Sequence, residues 1–222
     1  MYKACIFDLD GTLTSTLDSL TLSVNETMKT IGMPPITEEQ CRMFVGSGAR
    51  VLIEKALKAG GDQRLDKFDQ AMEAYLRIFD ENCTYHVVPY DGIPEMLSKM
   101  KEDGMKLAVL SNKPDRQAVH VVSSVFGDDV FDRVQGQREG VPRKPDPSAA
   151  LMIADSFGVS PSETLYIGDS DVDAATGKAA KMSTVLVTWG FRERDVLEKT
   201  GADHIVDSAA EIVKIAEGQE ER

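Results

Sequence analysis

Near its start the sequence reads Ala4-Cys5-Ile6-Phe7-Asp8-Leu9-Asp10-Gly11-Thr12, an apolar run that ends in two carboxylates. Four consecutive apolar residues are typical of a parallel strand that is covered on both faces. Three later runs are nearly as apolar, and helical patterns separate them: residues 107–110, 164–167 and 184–187. This alternation of strand and helix predicts an α/β fold with a doubly wound parallel sheet.

Capping signals predict where two of the helices begin. Thr37 followed three residues later by Gln40 predicts a capping box. Asp146 before Pro147 predicts an N-cap with proline at the first helical position.

Between the first two strands, residues 16–85 contain only helical patterns. An apolar stripe at helical spacing runs from Phe68 to Phe79. The stretch is too long for a single crossover helix. We therefore predict an all-helical cap over residues 16–85 that overhangs the carboxyl ends of the strands and selects the substrate. The predicted α/β core then comprises residues 1–15 and 86–222.

Charge and composition exclude several classes of protein. The 222 residues include 25 Lys and Arg against 37 Asp and Glu, a net charge of −12. Because a nucleic-acid binder needs a basic face, no nucleic-acid partner is expected, and an anionic membrane surface is disfavoured for the same reason. No stretch approaches the roughly 18 apolar residues of a membrane span.

The cysteines give no sign of a metal or redox site. Cys5, Cys41 and Cys83 are far apart, and no pair has C-x-x-C spacing. The apolar run at the start of the chain is too short for a signal peptide. We therefore expect a cytoplasmic protein.

Polar residues follow the predicted strands at the points where the strands end. They are Asp8 and Asp10 after the first run, Ser111 and Asn112 after the second, Lys144 before a helix, and Asp169 and Asp173 after the third run. In an open parallel sheet, ligands bind outside the carboxyl ends of the strands. These groups are therefore expected to converge on one site.

Several carboxylates at one site imply a bound cation, since their mutual repulsion would otherwise force protons onto some of them. With oxygen ligands only, Mg²⁺ is the first choice, completed by water and a substrate phosphate. Lys144 and the Ser111 hydroxyl suit the remaining phosphate oxygens. The residues thus predict phosphoryl chemistry.

Four stretches match, in order, the motifs of the haloacid dehalogenase superfamily, and the match spans the whole chain. They are Asp8-Leu9-Asp10-Gly11-Thr12, Ser111-Asn112-Lys113-Pro114, Lys144-Pro145-Asp146-Pro147 and Gly168-Asp169-Ser170-Asp171-Val172-Asp173. Within that superfamily the chain resembles the phosphoglycolate phosphatase-like branch, which has a Rossmann-like core and a helical cap. Gly46-Ser47-Gly48 and Val187-Thr188-Trp189-Gly190 also resemble that branch. Lys181 departs from the pattern, because many relatives carry Gly there, and this puts only the local loop shape in doubt.

The resemblance implies how the carboxylates work. Asp8 would be the nucleophile and a Mg²⁺ ligand. Asp10 would act as general acid to the leaving oxygen and then as general base for water, with its main-chain carbonyl on the metal. Asp169 would complete the metal site. Asp173 would orient Lys144 or water at the metal, while Asp171 is expected to cap a helix.

The resemblance also implies a phosphate site. Ser111 and Lys144 would bind the phosphoryl oxygens. Thr12 would stabilise the Asp8 loop and would also be one of the phosphate-binding residues. Gly11 would leave room for the turn and for the substrate. Asn112 either contacts the phosphate or shapes the turn before Pro114.

Ser47 and Arg50 are the predicted specificity contacts. When a cap closes over 2-phosphoglycolate, the carboxylate of the substrate must meet a cation or N–H groups, or it would be desolvated without a partner. Arg50 and the main-chain N–H groups around Ser47 lie where a helix is expected to begin, a place suited to an anion. The alternative is that Gly46-Ser47-Gly48 only makes the chain flexible there.

These observations predict a Mg²⁺-dependent phosphoric monoester hydrolase that acts on a small phosphorylated metabolite such as 2-phosphoglycolate through an aspartyl phosphate. The alternatives with the same fold are a β-phosphoglucomutase-like sugar-phosphate mutase and an inorganic pyrophosphatase. A receiver-type phospho-signalling domain is the alternative from a different class, and the long helical insert argues against it. The protein is expected to be a monomer or a homodimer.

Overall fold

The computed structural model describes residues 1–219. Residues 220–222, the end of the predicted core, lie outside the described residues. The strands are β1 (Ala4–Phe7), β2 (Thr14–Ser15), β3 (Val88–Pro89), β4 (Lys106–Pro114), β5 (Arg133–Gln137), β6 (Thr164–Gly168), β7 (Ser183–Val187) and β8 (His204–Val206). The helices are α1 (Leu17–Thr30), α2 (Glu38–Phe44), α3 (Ala49–Ala59), α4 (Phe68–Asn82), α5 (Ile93–Glu102), α6 (Asp115–Phe126), α7 (Ser148–Ser156), α8 (Asp171–Ala179), α9 (Arg194–Glu198) and α10 (Ala209–Glu217).

Six strands form one parallel sheet in the order β5-β4-β1-β6-β7-β8. Cys5 and Phe7 of β1 pack into one apolar cluster and Ile6 into another, so both faces of the sheet are covered. The predicted doubly wound α/β fold is confirmed. Because β1 lies between β4 and β6, the strand order reverses there, and the end of β1 is where a ligand site is expected.

The four apolar runs correspond to β1, β4, β6 and β7, but the sequence patterns do not predict the edge strands β5 and β8. β5 carries Arg133 and Gln135 in place of an apolar run, and β8 has only three residues. Strands at the edge of a sheet are commonly short or carry charged side chains, which protect the open edge from pairing with other chains.

The capping box at Thr37 is confirmed, since its hydroxyl accepts the Gln40 N–H and the Gln40 side chain accepts the Thr37 N–H. The start predicted for α7 is wrong by one residue, because Pro147 is itself the N-cap. The Asp146 carboxylate nonetheless accepts the Ser148 N–H at 2.9 Å, which satisfies one free donor of the first turn.

Helices α1 to α4 occupy the segment predicted to form the cap. β2 and β3 lie close to the two ends of this segment and pair antiparallel. Their pairing brings both ends together beside the end of β1, so the helices lie over the carboxyl ends of the strands.

Lys181 lies just beyond α8 and adopts a left-handed conformation, with φ of +58°. Glycine adopts this conformation at no steric cost, so the backbone here fits the Gly that the resemblance implies at this position. Among residues 1–219, no helix is long and apolar enough to cross a membrane.

Candidate active site

Three carboxylates converge at the ends of β1 and β6. Asp8, Asp169 and Asp173 are buried, and each offers an oxygen that lies within 4.8 Å of the others. Asp8 follows β1, Asp169 follows β6, and Asp173 lies in the first turn of α8. The sheet therefore brings together carboxylates that are far apart in the sequence.

Lys144 pairs with two of these three carboxylates. Its Nζ atom is 2.9 Å from Asp8 Oδ1 and 2.8 Å from Asp173 Oδ1. Burial alone lowers the pKa of an ammonium group, but the Asp173 and Asp8 carboxylates outweigh burial and raise the pKa of Lys144 well above its ordinary value. The two carboxylates therefore favour the charged form of Lys144.

Asp173 is fixed by hydrogen bonds on both of its oxygens. Lys144 donates to Oδ1, and the Ser170 hydroxyl donates to Oδ2 at 2.5 Å. Ser170 is also the N-cap of α8, a role that was predicted for Asp171. Asp171 is instead the first residue of the helix and pairs with Arg192 at 3.4 Å. A Cβ atom on Gly168 would overlap the Asp173 carboxyl group, so only glycine fits there.

The Asp169 carboxylate is held by groups from two loops, one after β1 and one after β7. The Phe191 N–H donates to Oδ2 at 2.7 Å, and the Thr12 hydroxyl lies 3.3 Å from Oδ1. A Cβ atom on Gly11 or Gly190 would overlap this carboxylate. Thr12 thus contacts a predicted metal ligand, and Gly11 lets the turn after β1 approach it closely.

The protonation of the cluster depends on burial. Desolvation raises the pKa of Asp8 to about 7 although the Lys144 ammonium opposes it, and desolvation with the neighbouring carboxylates raises the pKa of Asp169 to about 8. Buried carboxylates of this kind release their protons when a cation binds between them. An all-oxygen set with this charge fits Mg²⁺.

The Asn112 side chain shapes the loop before α7. Its Oδ1 accepts the Lys144 N–H at 3.0 Å, and its Nδ2 donates to the carbonyls of Lys144 at 3.2 Å and Gly46 at 3.0 Å. Because both ends of the amide bind main-chain atoms, the side chain joins the Lys144 loop to Gly46, a role that differs from contact with phosphate and from shaping of the turn before Pro114.

Core side chains hold residues 42–47, the end of α2 and the loop that follows it, over the site. Arg192 Nη2 donates to the Val45 carbonyl at 2.8 Å, and Arg143 Nη1 donates to the Ser47 carbonyl at 3.1 Å. Together with the Asn112 bond to Gly46, these contacts keep the cap closed on the core.

A cavity lies between the closed cap and the strand ends. From the core it is lined by charged and polar residues, among them Asp8, Asp10, Ser111, Lys113, Asp169 and Arg192. From the cap it is lined by uncharged residues, among them Leu20, Val45, Ala49, Leu52, Tyr75 and Phe79.

The structure corrects the expectation that Arg50 faces the substrate. Arg50 is exposed, and its guanidinium group lies 4.7 Å from the centre of the Phe68 ring, outside the cavity. Ala49 and Leu52 line the cavity instead. Because successive helical residues are rotated by about 100°, Arg50 lies on a different face of α3. Ser47 contributes its carbonyl to Arg143 rather than a side chain to the cavity.

Sequence reasoning assigned no role to Lys113. Its side chain is only 1% exposed, and Nζ lies 2.9 Å from Asp10 Oδ1. The sequence feature that could have indicated a role for Lys113 is its position two residues after Ser111, because a regular strand places two such side chains on one face. The register shift of β4 against β5 between Leu110 and Pro114 alters this alternation locally.

Comparisons with known proteins show which family the chain resembles. The family model described as haloacid dehalogenase-like hydrolase matches residues 5–187. The chain is 32% identical to a phosphoglycolate phosphatase of Aquifex aeolicus, over 85% of this chain and 86% of that protein. It is 32% identical to an N-acetylmuramic acid 6-phosphate phosphatase of Pseudomonas aeruginosa, over 96% of this chain and 94% of that protein. The crystal structure of a predicted phosphoglycolate phosphatase from Haemophilus somnus has a TM-score of 0.90 at 29% identity, over 96% of this chain and 97% of that one.

Proposed function

The chain belongs to the family of haloacid dehalogenase-like hydrolases and is a phosphatase that acts on phosphoric monoesters, and from that premise we propose its mechanism and substrate. We propose that Asp8 takes the phosphoryl group from a small ester, with 2-phosphoglycolate as the first candidate, and that Mg²⁺ is the cofactor. The observation that carries this proposal is the buried Lys144, which bridges Asp8 and Asp173 beside Asp169.

Asp8 is held through one of its carboxylate oxygens. Oδ1 accepts the Leu9 N–H at 2.7 Å and lies 2.9 Å from Lys144 Nζ. Oδ2 is therefore the oxygen that we expect to attack phosphorus. The attack forms an aspartyl phosphate and breaks the bond between phosphorus and the ester oxygen, which divides one slow displacement into two easier ones.

Asp10 transfers protons in both steps. It protonates the departing ester oxygen and then takes a proton from the water that attacks phosphorus, which returns Asp8 as a free carboxylate. Throughout, the Lys144 ammonium group stabilises negative charge on the phosphoryl oxygens. Asp173 and Ser170 keep Lys144 in place.

Mg²⁺ would be held by the carboxylates of Asp8 and Asp169 and by the main-chain carbonyl of Asp10, and when bound it supplies positive charge that neutralises the phosphoryl group. The fixed position of Asp169, held by Thr12 and Phe191, supports this ligand set.

The direct test of the substrate is to compare phosphate release from 2-phosphoglycolate, β-glucose 1-phosphate and pyrophosphate with Mg²⁺ present. We expect the largest kcat/KM for 2-phosphoglycolate. Preferred cleavage of pyrophosphate would indicate a pyrophosphatase, and conversion of the sugar phosphate without phosphate release would indicate a mutase. A stable phosphorylated protein without turnover would indicate a signalling domain.

Metal binding should alter thermal stability in a pH-dependent way. In the folded chain the pKa values of Asp8 and Asp169 are about 7 and about 8, above the value of about 4 for an unfolded chain. Between about pH 4 and about pH 8 the folded metal-free chain therefore binds more protons than the unfolded chain. These two groups therefore lower the free energy of unfolding as pH rises from about 4 to about 8. Mg²⁺ replaces the protons, so it should raise Tm by a few degrees more at about pH 8.5 than at about pH 6.

Differential scanning calorimetry with and without Mg²⁺ measures this difference, and Asp169→Asn serves as the control because its response to Mg²⁺ should be small at both pH values. An equal rise in Tm at both pH values in the wild-type protein would contradict the prediction.

The cellular location is proposed from the cysteines. All three are free and buried, and burial raises the pKa of the Cys5 thiol to about 12. Such thiols behave as small apolar residues, which supports a reducing compartment such as the cytoplasm.

A further inference from the structure

Lys113 is a buried cation that lines the cavity, and the proposed mechanism assigns it no role. It lies near the end of β4, with its Nζ atom 2.9 Å from Asp10 Oδ1 and 4.7 Å from the centre of the Phe79 ring. Asp10 belongs to the core and Phe79 to helix α4 of the cap. Lys113 is therefore situated where the closed cap meets the carboxylate that serves the leaving group.

The two lysines of the site pair with different carboxylates. Lys144 pairs with Asp8, the carboxylate that receives the phosphoryl group, whereas Lys113 pairs with Asp10, the carboxylate that protonates the leaving oxygen. If Asp10 protonates the leaving oxygen as proposed, the atoms beyond that oxygen lie on the Lys113 side of the cavity.

The other cation that lines the cavity already has partners within the protein. Among the described residues that line the cavity, the cations are Lys113 and Arg192. Arg192 contacts Asp171 and donates to the main-chain carbonyls of Arg42 and Val45. The lining residues of the cap are uncharged, so the cap supplies no ion pair to an anionic leaving group.

We infer that Lys113 selects the substrate by binding a carboxylate that is carried one carbon away from the ester oxygen, an inference that rests on the proposed phosphatase function. An ammonium group has three N–H donors, so Lys113 can keep its bond to Asp10 and still donate to a substrate carboxylate. A carboxylate enclosed by the apolar cap without such a partner would carry a large desolvation cost. Lys113, a residue of the core, would thereby bind the substrate carboxylate, the role that the sequence predicted for Arg50.

The test compares Lys113→Met with wild type on two substrates of equal length. 2-Phosphoglycolate carries the carboxylate, whereas 2-hydroxyethyl phosphate has a neutral hydroxyl in its place. We expect Lys113→Met to lower kcat/KM for 2-phosphoglycolate by roughly 30-fold or more relative to 2-hydroxyethyl phosphate, the loss typical of a buried charge-assisted contact. Because this contact binds ground state and transition state alike, the loss should lie mainly in KM.

Two controls distinguish loss of the carboxylate contact from a general loss of folding or activity. Lys29→Met removes a cap lysine whose side chain is 77% exposed, and it should change neither substrate. If Lys113→Met does not fold, Lys113→Gln, which keeps a hydrogen-bonding side chain beside Asp10 without the charge, takes its place. Calorimetric binding of 2-phosphoglycolate to Asp8→Asn, with and without Lys113→Met, should show the same loss of affinity without turnover.

Equal losses on both substrates would overturn the inference and show that Lys113 only positions Asp10. No loss on either substrate would overturn it as well. If the wild-type protein hydrolyses neither compound, the proposed function fails, and the calorimetric comparison then decides on Lys113 by itself.

Discussion

Asp8→Asn should eliminate phosphate release. The amide that replaces the carboxylate is a poor nucleophile, and it also removes one carboxylate from the buried cluster of Asp8, Asp169 and Asp173. The substitution changes little in size, so the fold should be retained and can be checked by circular dichroism. Steady-state phosphate release with Mg²⁺ present is the measurement, and near-normal turnover by Asp8→Asn would refute the assignment of the nucleophile.

Asp10→Asn is the matched comparison, because it makes the same chemical change two residues away. Proton transfer by a positioned side chain contributes roughly 10²- to 10⁴-fold to a rate. Asp10→Asn should therefore leave a slow but measurable rate where Asp8→Asn leaves none.

Removal of the metal should abolish turnover, and Mg²⁺ should restore it. A chain with a net charge of −12 repels a phosphate dianion at long range. Lys144 is already paired with Asp8 and Asp173, so it does not neutralise the cluster and the substrate together. Treatment with EDTA followed by titration with Mg²⁺, while phosphate release is followed, measures the dependence.

Ca²⁺ provides the control for this titration. It binds carboxylates but takes more ligands at longer distances than Mg²⁺, so it should restore little activity. Full activity of the metal-stripped protein in EDTA would contradict the proposed cofactor.

The sequence predicted those parts of the fold that depend on local patterns. β1 could be recognised because all four of its residues are apolar and the sheet buries them on both faces. The Thr37 cap could be recognised because its two partners lie within one helical turn. β5 could not, since an edge strand with Arg133 and Gln135 has no distinctive pattern.

The site was predictable where a residue directly follows a strand, as Asp8 and Asp169 do. The pairing of Lys113 with Asp10 was missed because Lys113 lies within β4 and not just after it, and the register shift in β4 obscures which face of the strand its side chain occupies. Arg50 was misplaced for a different reason. Its charge suited the substrate, but the phase of helix α3, which turns Ala49 and not Arg50 toward the cavity, is set by tertiary packing.

We expect Asp8 to carry the phosphoryl group during turnover. Rapid acid quenching of the wild-type protein with 2-phosphoglycolate and Mg²⁺, followed by peptide mass spectrometry, detects such an intermediate. One added phosphoryl group should appear on the peptide that contains Asp8, formed and lost at rates that match turnover. Turnover without a phosphoryl group on Asp8, or with one on Ser111 instead, would contradict it.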